Sequence, residues 1–122
     1  FGYLAARYNK GPVLIADIAA HKNIPLKFLE AILLELKQHE ILESKKGKGG
    51  GYFLVVPPNK TPIARVLRIM EGPIALLPCV SLNFYERCQD CDEKNCGLNK
   101  VMALTRDATL KVLEKKTLVD LV

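Results

Sequence analysis

Residues 13–56 read VLIADIAAHKNIPLKFLEAILLELKQHEILESKKGKGGGYFLVV. Apolar residues recur at helical spacing over residues 13–22 and again from residue 25 to about residue 39, with Asn23 and Ile24 between the two runs. Two helices joined by so short a turn, the second longer and polar near its N terminus, are typical of a helix-turn-helix. Taken alone, the pattern also fits an ordinary helical hairpin.

The segment that follows favours the helix-turn-helix. Residues 41–45 and 52–56 are strand-like and flank the run KGKGGG, which predicts a β-hairpin with a basic, glycine-rich tip. A helix-turn-helix followed directly by a hairpin is a winged helix. Glycines allow positive φ and close approach to a phosphodiester backbone, and Lys45, Lys46 and Lys48 supply countercharge. The run is not a nucleotide-binding P-loop, because it lacks the GK[ST] ending and no helix follows.

Helices are also predicted on both sides of this region. Residues 1–10 have helical spacing but begin as if in mid-helix, so we expect further residues upstream. Residues 63–71 predict another helix, with Thr61 as its N-cap, Pro62 at its first position and Gly72 just past its end.

All four cysteines lie in residues 79–96, CVSLNFYERCQDCDEKNC. Soft thiolate ligands crowded into a charged, irregular segment are more than core packing requires. The pattern leaves three interpretations open. The thiols could bind an iron–sulfur cluster, they could hold zinc with Cys88 and Cys91 as a C-x2-C half-site, or they could form a thiol switch or remain idle. Stable disulfides are disfavoured in a reducing cytosol.

A long helix is predicted after the last cysteine, because apolar residues keep helical spacing there and occupy more than one face. A helix that is apolar on two sides needs two partners, and in so small a chain we expect the second to be another subunit. Helix-turn-helix proteins commonly bind two half-sites as dimers. We therefore expect a homodimer on a palindromic double-stranded DNA operator. The apolar positions are Leu98, Val101, Met102, Leu104, Ala108, Leu110, Val112 and Leu113.

The composition is that of an ordinary globular domain. The chain has 122 residues, of which 49% are hydrophobic and 25% charged, and no apolar run approaches the ~18 residues that a membrane span needs. We expect a cytoplasmic protein without a membrane partner. The net charge of +5 is compatible with nucleic acid as a partner. No nucleophile–base pair or phosphate cradle is present, so an enzyme is not expected.

The elements, in order, resemble the Rrf2 family of bacterial winged-helix transcription regulators, and in particular its IscR- and NsrR-type iron–sulfur regulators. The motifs that carry the resemblance are IADIAAHKNIPLKFLEAILLELKQHEIL, the wing SKKGKGGGYFL, IARVLRIMEG, the cysteine cluster and the ending TLVDL. The resemblance implies a mainly α fold with a small β-hairpin. Residues 1–72 would form a winged helix-turn-helix DNA-binding domain, 73–97 a cysteine-rich sensor loop, and 98–122 a dimerisation helix with a C-terminal tail.

The resemblance also implies which residues meet DNA. The recognition helix would enter the major groove, where Lys27 could contact phosphate or guanine and Glu30 could accept a hydrogen bond from cytosine N4. Wing residues would touch the backbone or the minor groove. With the hairpin tip, the predicted DNA-binding set is Lys27, Phe28, Glu30, Ala31, Lys37, Lys45, Lys46, Gly47, Lys48 and Gly49.

For the cysteines, the resemblance implies an iron–sulfur cluster, of 2Fe-2S rather than 4Fe-4S type. Cys79 and Cys96 match the family's outer ligands, while Cys88 and Cys91 compete for the central position. Asn99 stands where some relatives have histidine, and we do not expect it to bind metal strongly. The competing hypotheses are a winged-helix protein-interaction module with structural zinc, whose weak DNA affinity would not depend on salt, and a cluster-free thiol-switch regulator.

Overall fold

A computed structural model of the chain describes residues 1–89 and 92–122. Its residues form two compact units, the first made of Phe1–Thr61 with Thr117–Val122 and the second of Pro62–Lys116. Within the described residues, no helix combines the length and apolar character that crossing a membrane requires. The functional division into residues 1–72, 73–97 and 98–122 stays a prediction.

The first unit is a winged helix-turn-helix. Its elements are α1 (Gly2–Ala5), α2 (Ile15–Lys22), α3 (Leu26–Gln38), β1 (Leu42–Lys45), β2 (Gly51–Leu54) and two 3-10 turns, Pro58–Lys60 and Leu118–Leu121. The fold class predicted from the sequence is confirmed.

The helix α1 is shorter than predicted, since the sequence indicates a helix that continues to Tyr8 and is stopped by residues 9–12. After Ala5 the backbone continues in turns, with N–H groups of Arg7 and Tyr8 bonded to carbonyls three residues back, and Asn9 takes a positive φ of 62°. At the other boundaries the sequence was nearly right. Asn23, at φ 53°, ends α2 in the left-handed conformation that asparagine tolerates, and Pro25 precedes α3 as its N-cap instead of being its first residue.

The core of the first unit lies under α3. Leu29, Leu33 and Leu36 of this helix are buried, as the predicted apolar stripe requires, and Ile41 and Leu42 at the start of the hairpin are at most 1% exposed. The β1–β2 pair is antiparallel, with Leu42 opposite Leu54 and Lys45 opposite Gly51, which confirms the predicted hairpin.

A third segment joins the hairpin beside the wing. The N–H and the carbonyl of Val13 each bond to Tyr52 at 2.8 Å. Gly51 has φ 140° and lies against the Val13 carbonyl, where a Cβ would clash. Glycine is therefore required at this position for the wing to pack against the segment before α2.

The second unit contains α4 (Ile63–Met70), a 3-10 turn (Pro78–Val80) and α5 (Gly97–Lys115). Arg68 of α4 pairs with Glu114 of α5 at 3.0 Å, and Arg106 of α5 donates to the Val80 carbonyl at 2.8 Å. These two contacts join the C-terminal end of α5 to α4 and the middle of α5 to the turn that contains Cys79.

The predicted N-cap of α4 is wrong, whereas the predicted C-terminal boundary is right. Thr61 is 1% exposed and its hydroxyl donates to the Pro57 carbonyl at 2.8 Å, so Pro62 takes the cap position. Gly72, at φ 88°, follows the helix as predicted, and its N–H bonds to the Arg68 carbonyl at 3.1 Å.

Candidate functional site

The side of α3 that faces away from the core carries the predicted recognition residues. Lys27, Phe28, Glu30 and Ala31 are all exposed, and 62% of Phe28 is accessible to solvent. A phenylalanine ring left in water contributes nothing to this unit's own core. Apolar side chains of this kind suit contact with a thymine methyl group in a major groove, and the neighbouring lysine and glutamate suit polar base edges.

The wing presents a second cationic surface on the same unit. Gly47 and Gly49 have φ of 90° and 74°, and the turn is closed by a 3.0 Å bond from the Gly50 N–H to the Gly47 carbonyl. None of the three wing lysines forms an ion pair within the part of the chain that the structure describes. Their charges are therefore open to an external anion. The exposed wing residues are Lys45, Lys46, Gly47, Lys48 and Gly49.

Lys37 is placed differently from the other predicted DNA contacts. Its ammonium group donates to Ser44 Oγ at 2.6 Å and lies 3.5 Å from a carboxylate oxygen of Glu43. Both partners belong to β1, so Lys37 joins the end of α3 to the base of the wing. Sequence spacing placed this lysine on the recognition helix but gave no indication that its charge is engaged inside the protein.

Two of the cysteines meet at the start of α5. Cys79 lies in the 3-10 turn and Cys96 is the N-cap of α5; both are half-buried. Asn99 contacts both sulfurs, since its backbone N–H donates to Cys96 Sγ at 3.4 Å and its side-chain amide donates to Cys79 Sγ at 3.5 Å. Cys79, Cys96 and Asn99 line a pocket with a volume of about 440 Å³. Cys88 is exposed and lines this pocket as well. Cys91 lies outside the described residues.

This donor set fits a soft metal in its chemistry, although the described residues do not assemble a full ligand set. Thiols are the ligands that iron–sulfur clusters and zinc prefer, and N–H groups aimed at sulfur are the hydrogen bonds such sites use. No group of three or more His, Cys, Asp or Glu side chains comes together among residues 1–89 and 92–122. The thiols of Cys79 and Cys96 therefore both contact Asn99, and Cys88 lines the same pocket.

Asn99 is the residue that sequence reasoning missed. The sequence suggests it only as a weak metal ligand, whereas its contacts are donated hydrogen bonds to the two outer cysteines. The one indication in the sequence is its position three residues after a helix-capping Cys96, because an N-cap side chain accepts from the N–H at this spacing.

The loop between these cysteines is closed by a polar contact. The Tyr85 hydroxyl donates to the Glu93 carboxylate, and this hydrogen bond raises the pKa of Tyr85, because it holds the proton that titration must remove. Asp92 orders the next turn by accepting from the Lys94 N–H at 3.2 Å and from the Asn95 amide at 2.6 Å.

The helix α5 has two faces and no buried residue. Met102, Leu110 and Leu113 are half-buried within the second unit, whereas Leu98, Val101, Leu104 and Val112 are between 55% and 71% exposed. Positions 98, 101, 105, 108 and 112 follow the alternating three- and four-residue spacing of a coiled-coil seam, and the side chains on them are Leu98, Val101, Thr105, Ala108 and Val112.

Comparison with known proteins identifies regulators as relatives. A family model described as Rrf2, iron-dependent transcriptional regulator, matches residues 1–122. An Rrf2-like HTH-type transcriptional regulator of Rhodobacter capsulatus is 37% identical over 118 residues, which cover 96% of this chain and 79% of the relative. The HTH-type transcriptional regulator IscR of Sodalis glossinidius is 31% identical over 111 residues, which cover 91% of this chain but only 62% of IscR.

A solved structure gives the same picture. CymR (YrzC), the global cysteine regulator of B. subtilis, matches with a TM-score of 0.79 at 28% identity, over 98% of this chain and 84% of CymR.

Proposed function

The chain belongs to the Rrf2 family of transcriptional regulators, and we propose that it acts as a homodimer that binds palindromic double-stranded DNA under the control of its cysteine segment. Members of this family regulate transcription and are not enzymes. The observation that carries the DNA-binding proposal is that one compact unit presents both the exposed residues Lys27, Phe28, Glu30 and Ala31 of α3 and a wing whose lysines have no ion-pair partner among the described residues.

The exposed face of α3 would read bases, and the wing would bind the backbone. Lys27 and Glu30 have the donor and acceptor groups for guanine and cytosine edges, and Phe28 with Ala31 offers apolar contact to thymine methyls. The wing lysines would neutralise phosphates, a contribution that does not depend on sequence and weakens as salt rises. Lys37 would hold the wing against α3 instead of contacting DNA, since its ammonium group is bound by β1.

The homodimer proposal rests on the uncovered seam of α5. Leaving Leu98, Val101 and Val112 more than half exposed is unfavourable for a free helix, and a second copy of the same seam would bury them. A two-fold symmetric dimer would also carry two recognition helices, one for each half of a palindromic operator.

The cysteine segment is proposed as the sensor. Cys79 and Cys96 would hold an iron–sulfur cluster of 2Fe-2S type together with Cys88 or Cys91, and the likeness to IscR supports this. When bound, a cluster supplies one-electron chemistry and orders the segment that holds it. The chain's own contribution is to bring two thiols beside Asn99 at the first turn of α5, so that a change at the sulfurs reaches the proposed dimer helix directly. Reduced thiols would place the protein in the cytoplasm.

A second candidate is a thiol-switch regulator without a cluster, and zinc is a third candidate occupant. The thiol switch is favoured by the geometry of the described residues, which brings only two cysteines together, and by the likeness to CymR. The cluster and thiol-switch candidates agree on DNA binding and differ in what changes at Cys79 and Cys96.

Anaerobic purification from iron-replete cells, followed by iron, sulfide and zinc analysis, tests the sensor. Iron and sulfide in equal amounts, absent from a Cys79→Ser variant and retained in an Asn83→Ser control, would support the cluster. Stoichiometric zinc, or no metal with DNA affinity that changes on thiol oxidation, would overturn it. Selection from random duplexes followed by a salt titration tests DNA reading, because affinity for the selected sequences must fall steeply with salt.

A further inference from the structure

A stacked arginine, Arg7, lies two residues after the end of α1 and is not among the predicted DNA-binding residues. The Arg7 guanidinium carbon lies 3.6 Å from the centre of the Tyr3 ring, and one Arg7 nitrogen donates to the Tyr3 carbonyl at 3.2 Å. The Tyr3 ring in turn packs against His21 of α2, with ring centres 4.8 Å apart. The cation is therefore held in place by an aromatic ring and a backbone carbonyl, and most of its five N–H donors remain for another acceptor.

This arginine opens onto a pocket of about 470 Å³ in the first unit. Lys10 contributes a second cation, and the backbone of Gly49 and Gly50 forms the wall on the wing side. The start of α2 closes the pocket opposite, and Asp17 in its first turn is the one carboxylate among the lining residues. Neither Arg7 nor Lys10 forms an ion pair among the residues that the structure describes.

We propose that Arg7 and Lys10 form an additional phosphate-binding site that holds one phosphodiester of the DNA backbone beside the wing. The proposal rests on the proposed DNA-binding function and adds two cations, Arg7 and Lys10, to those of α3 and the wing. Guanidinium groups bind phosphate through paired N–H donors, and a group that is already immobilised loses little side-chain entropy on binding.

The position favours a DNA phosphate over other anions. The pocket is bounded by the glycine turn of the wing and the first turn of α2, two elements that belong to the same unit as the recognition helix. Two cations against one carboxylate leave a net positive pocket, and Asp17 is itself stabilised at the N terminus of α2 by the helix dipole. A phosphate would thus be held on the Arg7 and Lys10 side.

The test uses the full chain, a labelled duplex of mixed sequence long enough for two half-sites, and fluorescence anisotropy across a range of salt concentrations. For each phosphate that the protein no longer neutralises, the slope of log K against log salt should become shallower by about 0.9. Arg7→Gln and Lys10→Gln should each show this change per protomer and weaken binding several-fold on every duplex, without changing sequence preference. Arg65→Gln and Lys60→Gln remove the same charges outside the pocket and should keep the wild-type slope.

Several outcomes decide the matter. Arg7→Gln removes the cation–π contact with Tyr3 and could lower the melting temperature. Lys10 is exposed, so the salt slope of Lys10→Gln can still be measured in folded protein. Slopes that match the two control variants would overturn the phosphate site while leaving the proposed function intact. Wild-type protein that ignores duplex DNA at low salt would overturn both. If inorganic phosphate raises the melting temperature of the wild type but not of Arg7→Gln, and the DNA slopes are unchanged, the pocket holds a free anion and the DNA assignment is wrong.

Discussion

The two units of the chain are stabilised in different ways. Ten of the thirteen buried apolar side chains among the described residues belong to the first unit, and they come from its helices, its hairpin and the C-terminal turn. The second unit has its longest helix, α5, without a single buried residue, and its cysteine loop is held by hydrogen bonds from Asn99, Tyr85 and Arg106.

This difference indicates that the first unit has a substantial apolar core of its own, whereas the second unit buries few apolar side chains. The first unit buries a core under α3 and exposes the wing lysines together with Lys27, Phe28 and Glu30 of α3. The second unit leaves apolar seam residues and thiols accessible, which suits a region completed by a second subunit and by a sensor chemistry. Substitutions on either side test this contrast.

The largest effect is expected in the core of the first unit. Leu36 is 2% exposed, so Leu36→Ala should lower the free energy of unfolding by about 2–5 kcal/mol through reduced burial and a residual cavity. Leu104 on α5 is 71% exposed, and Leu104→Ala should cost less than about 0.5 kcal/mol at protein concentrations where the chain is monomeric. Urea denaturation followed by circular dichroism measures both.

If Leu36→Ala and Leu104→Ala lowered the free energy of unfolding equally, the contrast between the units would be wrong. A cost for Leu104→Ala that grows with protein concentration would strengthen it, because mass action would then link α5 to assembly.

The next effect concerns assembly. Val101 lies on the exposed seam, and Val101→Glu would place a carboxylate where two seams are proposed to pack. We expect a monomer by sedimentation equilibrium and a loss of roughly 100-fold or more in affinity for a two-half-site duplex, since the second head no longer binds as part of the same molecule. Lys100→Glu puts a carboxylate on the neighbouring exposed position and should leave the dimer intact. A dimeric Val101→Glu protein would show that the seam has another role.

The elements of the fold that could be predicted were those that local pattern determines. Apolar spacing gave α2, α3 and α5, and the glycine-rich run gave the hairpin. Thr61 shows the limit. A threonine before a proline and an apolar run favours an N-cap, but here its carbonyl accepts from the Leu118 N–H at 3.1 Å and its side chain is buried. No local rule can include a partner so distant in sequence.

The same reason explains what was missed at the candidate sites. The contact between Asn99 and Cys79 joins residues 20 positions apart, and the tilted contact between the Tyr3 and His21 rings joins two helices. Residue types that a thiol site and a cationic surface need were visible in the sequence. Tertiary packing determines which of these residues lie close together.

A smaller effect is expected where the sequence and the structure suggest different roles for one lysine. Lys37→Gln should lower the free energy of unfolding by about 1 kcal/mol, because it removes the charged hydrogen bond to Ser44, and it should leave the salt dependence of DNA binding unchanged. Lys46→Gln, at an exposed wing position, should do the reverse and make the salt slope shallower by about 0.9 per protomer. If Lys37→Gln instead made the slope of log K against log salt shallower, Lys37 would be a phosphate contact, as the sequence predicted. Its hydrogen bond to Ser44 would then not be its main role.

The smallest effect tests whether the cysteine loop is held closed by its polar contact. The hydrogen bond to Glu93 raises the pKa of Tyr85, so the contact stabilises the folded loop at pH values below the ordinary tyrosine pKa and is lost as pH rises through the raised value. Ultraviolet titration at tyrosinate wavelengths should show a late transition that Tyr85→Phe removes and Glu93→Gln shifts to lower pH, because the amide lacks the carboxylate's charge. If the contact also restrains the segment around the exposed Cys88, both variants should speed alkylation of that thiol in metal-free protein at neutral pH, while Phe84→Leu should not. Unchanged alkylation together with the shifted titration would mean that Tyr85 and Glu93 form a hydrogen bond without ordering the loop. The order of the loop would then depend on the proposed partner subunit or the proposed cluster.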